Sequence, residues 1–260
     1  MPKTIVNSIE INYEDVGHGE TLVLLHGLGS TIKDWGFQIP VLSKKFRLII
    51  PDFRGHGKSG ISKDDFGVEF LTEDIFQLLK KIKIDKASFI GFSMGGAVSF
   101  QMAVSHPEIV DKLIIVNSGP DFDNMGKMGT ELLESRTAFL KIKGIQELAK
   151  EISKNMFPEE HQEQLRQEFE ERCGKNNSEV YYKTFVTLME WGLGEKLETI
   201  PHKTLIVGSD MDYMPVSYKE EYTSRMQNAT LAIVSNSRHG VVMDQHEAFN
   251  SIILNFLENE

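Results

Sequence analysis

Short apolar segments constrain the fold of this chain more than any other feature. Most of them, such as TLVLLH, run through Leu, Ile and Val without a polar residue at every second position. Segments of this kind are typical of parallel-sheet strands that are buried on both faces. The predicted strands are residues 9–16, 21–26, 46–51, 86–92, 112–117, 204–208 and 231–234.

Helical patterns separate the predicted strands. Apolar side chains recur at helical spacing in residues 69–83, and residues 97–105 and 249–257 are also predicted helices. From about residue 121 to 199 the strand pattern disappears, and segments rich in helix formers and charged residues take its place. We therefore predict an α/β core domain built from residues 1–120 and 200–260, with a helical insertion at 121–199.

Composition argues against several classes of protein. The formal net charge is −10, which does not suit a surface for nucleic acid. The single cysteine, Cys173, can form no intramolecular disulfide and offers no zinc-binding spacing. The opening residues do not resemble a signal peptide, and no apolar run approaches the ~20 residues of a membrane span. We expect a cytoplasmic protein, monomeric or homodimeric, without metal or cofactor.

One serine stands between glycines where a predicted strand passes into a helix. Residues 91–96 read GFSMGG, which places Ser93 between Gly91 and Gly95. A nucleophile on such a sharp turn has strained backbone dihedrals, and side chains two residues away on either side would collide with their surroundings. The alternative is a packed turn that happens to contain a serine. The strand–turn–helix context favours a nucleophile.

A serine hydroxyl needs a base to become a nucleophile. His239, in the motif SRHG, lies between the last predicted strand and the last predicted helix and is our candidate. The acid that orients the imidazole is expected at the end of the preceding strand, where SDMDYMP offers Asp210 and Asp212. The residue pattern by itself leaves both carboxylates open.

Attack on a carbonyl group also needs N–H donors for the oxyanion. The backbone N–H of Met94, at the positive end of the helix that follows Ser93, is one candidate. The other is the N–H of Leu28, which follows His26 and Gly27 in the loop HGLG after an early strand. Glycine there allows the loop to pass close to the serine.

Residues 55–60, GHGKSG, imitate two nucleotide-binding motifs. A phosphate-binding loop would need glycine at position 52, where the chain has Asp52. A dinucleotide-binding motif would need a helix to begin within these glycines, whereas residues 61–65 are predicted to be loop. The sequence therefore predicts no nucleotide site.

Four motifs together resemble the α/β-hydrolase superfamily, in which the site residues follow the chain order serine, aspartate, histidine. The motifs are HGLG at 26–29, DFRGHGKS at 52–59, GFSMGG at 91–96 and SRHG at 237–240. The resemblance covers nearly the whole chain. It implies an eight-stranded, mostly parallel sheet flanked by helices, with a helical cap over the active site.

The resemblance also bears on the choice of acid. Members usually read proline-threonine, an apolar strand and then glycine-x-x-aspartate. Alignment of Thr204 with that threonine implies Asp212 as the acid. Lys203 and Ser209 depart from the pattern, so Asp210 stays open as the alternate acid.

The nucleophile narrows the expected reaction. Haloalkane dehalogenases and epoxide hydrolases of this superfamily use aspartate at the position of Ser93, so the resemblance implies neither. We expect hydrolysis of a carboxylic ester, lactone or thioester with a small to medium apolar acyl group. Alternatives are a carbon–carbon bond hydrolase, a ligand receptor and a cofactor-free oxygenase. Aromatic and methionine side chains of the insertion are candidates to line an acyl pocket: Phe122, Met125, Met128, Phe139, Met156, Phe157, Tyr182, Phe185, Met189 and Trp191.

Overall fold

A computed structural model describes residues 2–62 and 66–259. Eight strands form one sheet in the order β1-β2-β4-β3-β5-β6-β7-β8. β1 pairs with β2, and β2 with β4, in antiparallel orientation, whereas all other neighbours are parallel. The predicted α/β fold with a mostly parallel eight-stranded sheet is confirmed. The strands are β1 Lys3–Val6, β2 Ile9–Gly17, β3 Thr21–Leu25, β4 Arg47–Pro51, β5 Ala87–Phe92, β6 Val110–Val116, β7 Lys203–Ser209 and β8 Ala229–Val234.

The central strands lie in the interior because their residues are apolar on both faces. Every residue of β5 is buried, as are the last four residues of β3 and of β4. This burial agrees with the absence of alternation in their sequences. Because β3 to β8 are all parallel to one another, the loops that follow their carboxyl ends all leave the same edge of the sheet.

Nine α-helices accompany the sheet in the described residues. They are α1 Ile39–Leu42, α2 Val68–Lys81, α3 Met94–Ser105, α4 Gly126–Met156, α5 Glu163–Cys173, α6 Ser178–Met189, α7 Val216–Arg225, α8 Val241–Asp244 and α9 His246–Glu258. Short 3₁₀ helices occur at Ile32–Trp35, Pro107–Ile109, Glu160–Gln162 and Gly194–Thr199.

Amphipathic patterns attach these helices to the sheet. In α2, Leu71, Ile75, Leu78 and Leu79 are buried on one face, as the helical spacing predicts. Burial of four such side chains stabilises the packed helix by roughly 6–12 kcal/mol before the entropy of ordering is subtracted. Helix α3 packs against β5 and β6 and thereby fixes the turn that joins it to β5.

Between β6 and β7 the chain is mainly helical. Helix α4 packs against α5 and α6. It is interrupted at Gly144, whose φ of 82° is outside the helical region. An isolated bridge between Asp121 and Gly192 joins the two ends of this segment. Its boundaries as a separate domain at 121 and 199 stay a prediction.

The stretch that imitates a nucleotide motif folds around a buried carboxylate. Asp52 accepts hydrogen bonds from the backbone N–H groups of Ile32 and Lys58 and from the side chain of Asn12, at 2.8 to 3.0 Å. A Cβ at Gly57, which has φ of 54°, would lie 2.3 Å from the Asp52 carboxylate. The glycines thus serve this turn. Of the predicted loop at 61–65, residues 63–65 lie outside the described residues.

None of the helices in the described ranges combines the length and apolar character that a membrane crossing requires.

Candidate active site

Ser93 lies on a strained turn between β5 and α3. Its φ and ψ are 52° and −117°, a conformation that a residue with a side chain rarely adopts. A Cβ at Gly91 would lie 2.2 Å from the carbonyl oxygen of Gly95, and a Cβ at Gly95 would lie 2.1 Å from that of Leu25. Both glycines are therefore required sterically if the turn is to display the serine.

His239 connects the serine to a carboxylate. Its Nε2 lies 3.0 Å from Ser93 Oγ, and its Nδ1 lies 2.8 Å from Asp212 Oδ1. Because an ionised carboxylate only accepts, Nδ1 carries the proton and Nε2 is left as the acceptor. The imidazole is 7% exposed. The structure thus brings Ser93, His239 and Asp212 together in the arrangement that base-assisted nucleophilic attack requires.

A buried lysine holds the other oxygen of the same carboxylate. Lys219 Nζ lies 2.8 Å from Asp212 Oδ2 and 2.6 Å from the carbonyl oxygen of Met214, and both side chains of the ion pair are fully buried. Burial raises the pKa of Asp212, but the neighbouring His239 and Lys219 lower it further, and the net shift is downward. The carboxylate is therefore held in its ionised form.

Asp210 has a different place. Its carboxylate accepts hydrogen bonds from the backbone N–H groups of Asn236 (3.0 Å) and Ser237 (3.2 Å). These bonds shape the loop that leads to His239. The structure therefore places Asp212, and not Asp210, on the imidazole.

Asn117 ties three strand ends together beneath the histidine loop. It is fully buried, and its Nδ2 donates to the carbonyl oxygen of His239 (2.9 Å) and to Ser209 Oγ (2.7 Å). Its Oδ1 accepts from the Ser209 N–H at 2.9 Å. Ser209 stands where relatives usually have glycine, and it lacks a positive φ, so the conformation there does not require glycine. Sequence reasoning missed Asn117, which sits directly after β6 in the motif NSGP.

Sequence reasoning also missed Tyr213, whose hydroxyl competes with that of Ser93 for the hydrogen bond to His239 Nε2. Its hydroxyl lies 2.7 Å from His239 Nε2, and the two rings are 4.2 Å apart. Burial of the hydroxyl, followed by the charge of Asp212, raises the Tyr213 pKa, so the group stays protonated. Nε2 has one lone pair, so only one of the two hydroxyls, Tyr213 or Ser93, donates a strong hydrogen bond to it at a time.

The two expected oxyanion donors lie beside the serine with no protein acceptor. Within residues 2–62 and 66–259, neither the Leu28 nor the Met94 N–H donates a hydrogen bond to the protein. A Cβ at Gly27 would lie 3.5 Å from Ser93 Cβ, which shows how closely the loop passes the serine. Both N–H groups are thus available to a ligand.

His26 supports that loop from below. Its Nε2 accepts from the Phe53 N–H at 3.1 Å, and its Nδ1 lies 2.7 Å from the carbonyl oxygen of Gly27. Burial lowers the pKa of His26, which favours the neutral ring with the proton on Nδ1. The ring therefore joins the ends of β3 and β4 and orients the residue before Leu28.

A buried ion pair fixes the same loop to helix α5. Arg172 Nη2 lies 3.1 Å from Asp34 Oδ1, and its Nε lies 2.9 Å from Ser30 Oγ. Asp34 in turn accepts from the Gly27 N–H at 3.3 Å. The segment between β6 and β7 is therefore joined by charge to the loop that carries Leu28.

A cavity of about 380 Å³ opens above Ser93 and His239. Most of the candidate lining residues from the sequence are elsewhere: Phe157, Phe185 and Trp191 are buried in the core. The aromatic composition of the segment did not reveal which faces its helices turn to the cavity. Of the candidates only Met156 lines it, together with other apolar side chains from the same segment: Leu132, Ile152, Phe169 and Tyr181.

The described residues contain no group of three or more His, Cys, Asp or Glu side chains that is placed to hold a metal ion.

Comparison with known proteins identifies the family. A family model described as the alpha/beta hydrolase fold matches residues 20–144. "Putative carbamate hydrolase RutD" of Caulobacter sp. (strain K31) is 30% identical over 248 residues, which cover 93% of this chain and 91% of that protein. The chain belongs to the α/β-hydrolase superfamily. The resemblance drawn from the four motifs is confirmed.

Other relatives and solved structures agree with this assignment. The AB hydrolase superfamily protein YisY of Bacillus subtilis (strain 168) is 27% identical and covers 94% of this chain and 93% of its own. The enol-lactonase from Burkholderia xenovorans LB400 superposes with a TM-score of 0.91 at 23% identity, over 99% of this chain and 100% of that one. The esterase from Exiguobacterium antarcticum gives 0.91 at 24% identity, over 98% of each chain. These two structures share the fold of this α/β hydrolase.

Proposed function

We propose that this α/β hydrolase cleaves a carboxylic ester, lactone or thioester through an acyl-enzyme on Ser93. One observation carries the proposal: a continuous hydrogen-bonded line runs from Ser93 Oγ through His239 to the buried carboxylate of Asp212, at the floor of a cavity. Such a line activates a serine hydroxyl for attack on a carbonyl carbon.

The reaction follows from the positions of the hydrogen-bonding groups. His239 Nε2 takes the proton of Ser93 as Oγ attacks the carbonyl carbon, and the imidazolium then gives that proton to the leaving oxygen or sulfur. The N–H groups of Leu28 and Met94 stabilise the oxyanion. Asp212 keeps the ring in the correct tautomer and stabilises its charged form. Water, activated by His239, then hydrolyses the acyl-enzyme and regenerates the serine.

The cavity supports a small to medium acyl group. Its volume of about 380 Å³ is at the lower end for ligand pockets, and apolar side chains such as Leu132, Ile152 and Phe169 line it. We propose that the segment between β6 and β7 acts as a cap that excludes water from this acyl pocket.

Carbamate hydrolysis is a second candidate, favoured by the relative at 30% identity that is named for it. A carbamate carbonyl accepts the same attack by Ser93, but the carbonyl is less electrophilic and the leaving group is an amine or an alcohol. Comparison of an aryl ester with the matching aryl carbamate therefore separates the two candidates. Slow release of the carbamoyl-enzyme together with rapid turnover of the ester would favour ester hydrolysis over carbamate hydrolysis as the function.

Intact mass spectrometry after incubation with a fluorophosphonate tests the proposal. We expect a single adduct on the wild-type protein and none on Ser93→Ala. Circular dichroism should show that both proteins are folded. No adduct on the folded wild type would refute an activated serine. An adduct that persists in Ser93→Ala would show that another residue is the nucleophile.

A further inference from the structure

Among the described residues, two arginines line the cavity above Ser93, and no acidic side chain does. They are Arg136, on helix α4, and Arg238, next to His239. The chain as a whole carries a net charge of −10, so the two arginines give this cavity a charge opposite in sign to that of the molecule. A local excess of one charge in a cleft attracts a ligand of the opposite charge.

Neither arginine has an acidic partner. This holds for the described residues 2–62 and 66–259, in which no carboxylate oxygen lies within 4.0 Å of either guanidinium. Arg54 and Arg172, in contrast, are both paired with aspartates. Arg238 is exposed, so water screens its charge. Arg136 is half-buried, which weakens the screening and makes it the stronger anion-binding group.

Aromatic side chains hold Arg136 in place within the cavity. Its guanidinium carbon lies 4.9 Å from the centre of the Phe185 ring. Tyr181 contributes a second aromatic wall: burial raises its pKa to about 12 against the opposing charge and hydrogen bond of Arg136. The charge of Arg136 also acts on Tyr213, whose hydroxyl contacts His239. Arg136 lines the same cavity as Ser93 and His239, and its guanidinium can offer five N–H donors to a ligand there.

We infer that Arg136 binds a carboxylate carried on the acyl part of the substrate, so that the preferred substrate is an anionic ester such as the half-ester of a dicarboxylic acid. The inference rests on the serine-hydrolase function proposed above. The acyl part is the better location for the carboxylate because it stays bound to Ser93 through both chemical steps, whereas a leaving alcohol must depart. A guanidinium suits this role since its fork of N–H groups matches the two oxygens of a carboxylate.

Paired substrates test the inference. We would measure kcat/KM for the mono-4-nitrophenyl esters of succinate, glutarate and adipate, each against the uncharged 4-nitrophenyl ester with the same number of acyl carbons. The leaving group is common to all, so the ratio within a pair reports the carboxylate alone. We expect at least one anionic ester to be preferred, and the preference to fall in 1 M NaCl as the charges are screened.

Variants assign the preference to Arg136. Arg136→Gln should lower kcat/KM for the preferred anionic ester by about 10- to 100-fold, the value of a charge-assisted hydrogen bond, and change the uncharged ester by less than about 3-fold. Arg136→Lys should retain part of the preference. Arg47→Gln is the matched control: it removes the same charge at the start of β4, where Arg47 pairs with Asp15, and should leave both esters unchanged.

A binding measurement keeps this result independent of turnover. Glutarate, a reaction product, should bind by calorimetry to Ser93→Ala and at least 10-fold more weakly to Ser93→Ala/Arg136→Gln. Equal kcat/KM for charged and uncharged esters, with fluorophosphonate labelling intact, would overturn the inference and leave the serine-hydrolase function standing. Loss of labelling on the folded wild type would overturn that function instead.

Discussion

The ion pair of Lys219 with Asp212 leads to a sharp prediction for Lys219→Met. Both side chains are fully buried, and the variant removes the cation while keeping an aliphatic chain of similar length. Among the described residues, the Asp212 carboxylate then keeps only His239 as a side-chain partner. Removal of one member of a buried pair costs about 3–5 kcal/mol of unfolding free energy, because the charge left behind is uncompensated. At about 2–4 °C per kcal/mol this corresponds to a fall of roughly 10 °C in Tm.

The pH dependence of that loss identifies its cause. The pKa of Asp212 in the folded protein is below its ordinary value of 3.8, so the carboxylate contributes stability that is present above pH 3.8 and is lost as the pH falls through the folded-state pKa. Without Lys219 the folded-state pKa rises, and the variant takes up a proton on Asp212 at a higher pH than the wild type. The stability difference should therefore be full at pH 7 and shrink steadily towards pH 3.

Urea unfolding from pH 7 to pH 3 measures this difference. Lys45→Met is the matched control, since Lys45 pairs with Glu258 on the surface, and it should cost no more than about 1 kcal/mol. In the background of Asp212→Asn, the penalty of Lys219→Met should fall by half or more because the charge that needs compensation is gone. A penalty below about 1 kcal/mol at pH 7, or one that is constant with pH, would refute the reasoning.

Three further predictions address the candidate site. In steady-state kinetics, Asp212→Asn should lower kcat by about 10³- to 10⁴-fold, because an amide no longer favours the correct tautomer. Asp210→Asn should lower kcat by less than about 10-fold. A larger loss of kcat in Asp210→Asn than in Asp212→Asn would make Asp210 the acid. Gly95→Ala should give little folded protein at 37 °C, since its Cβ would lie 2.1 Å from a backbone oxygen. A solubility assay measures this, and a soluble, active variant would contradict the steric argument. Tyr213→Phe should raise kcat/KM by about 2- to 10-fold, the value of one competing hydrogen bond, and a decrease of 10-fold or more would mean that this hydroxyl assists the reaction.

The sheet was predictable because its strands carry the information locally. Runs of Leu, Ile and Val such as those of β3 and β4 are typical of a strand covered on both faces, and the structure buries them so. β1, Lys3–Val6, was missed because an edge strand of four residues with three partly or fully exposed side chains has no comparable pattern.

The site was predictable only where a backbone constraint marks it. Ser93 stands out because its turn excludes side chains at Gly91 and Gly95, so both positions must be glycine and the pattern is visible in the sequence. Lys219 has no such mark: SYKEEY reads as a solvated helical face, and nothing local shows that this one lysine turns inward to a carboxylate seven residues earlier. Asn117 likewise acts through partners that are distant in the chain.

Charge balance links the proposed reaction to the proposed substrate. In the resting site the negative charge of Asp212 is already compensated by Lys219, so the imidazolium that forms on His239 is balanced by the oxyanion that appears in the same step. Arg136 is then left as a positive charge in a half-buried wall with no acidic partner among the described residues. A neutral ester leaves that charge uncompensated throughout the cycle, whereas an acyl group with its own carboxylate compensates it from binding to deacylation. The same electrostatic argument that explains why Asp212 needs a buried lysine therefore favours an anionic substrate.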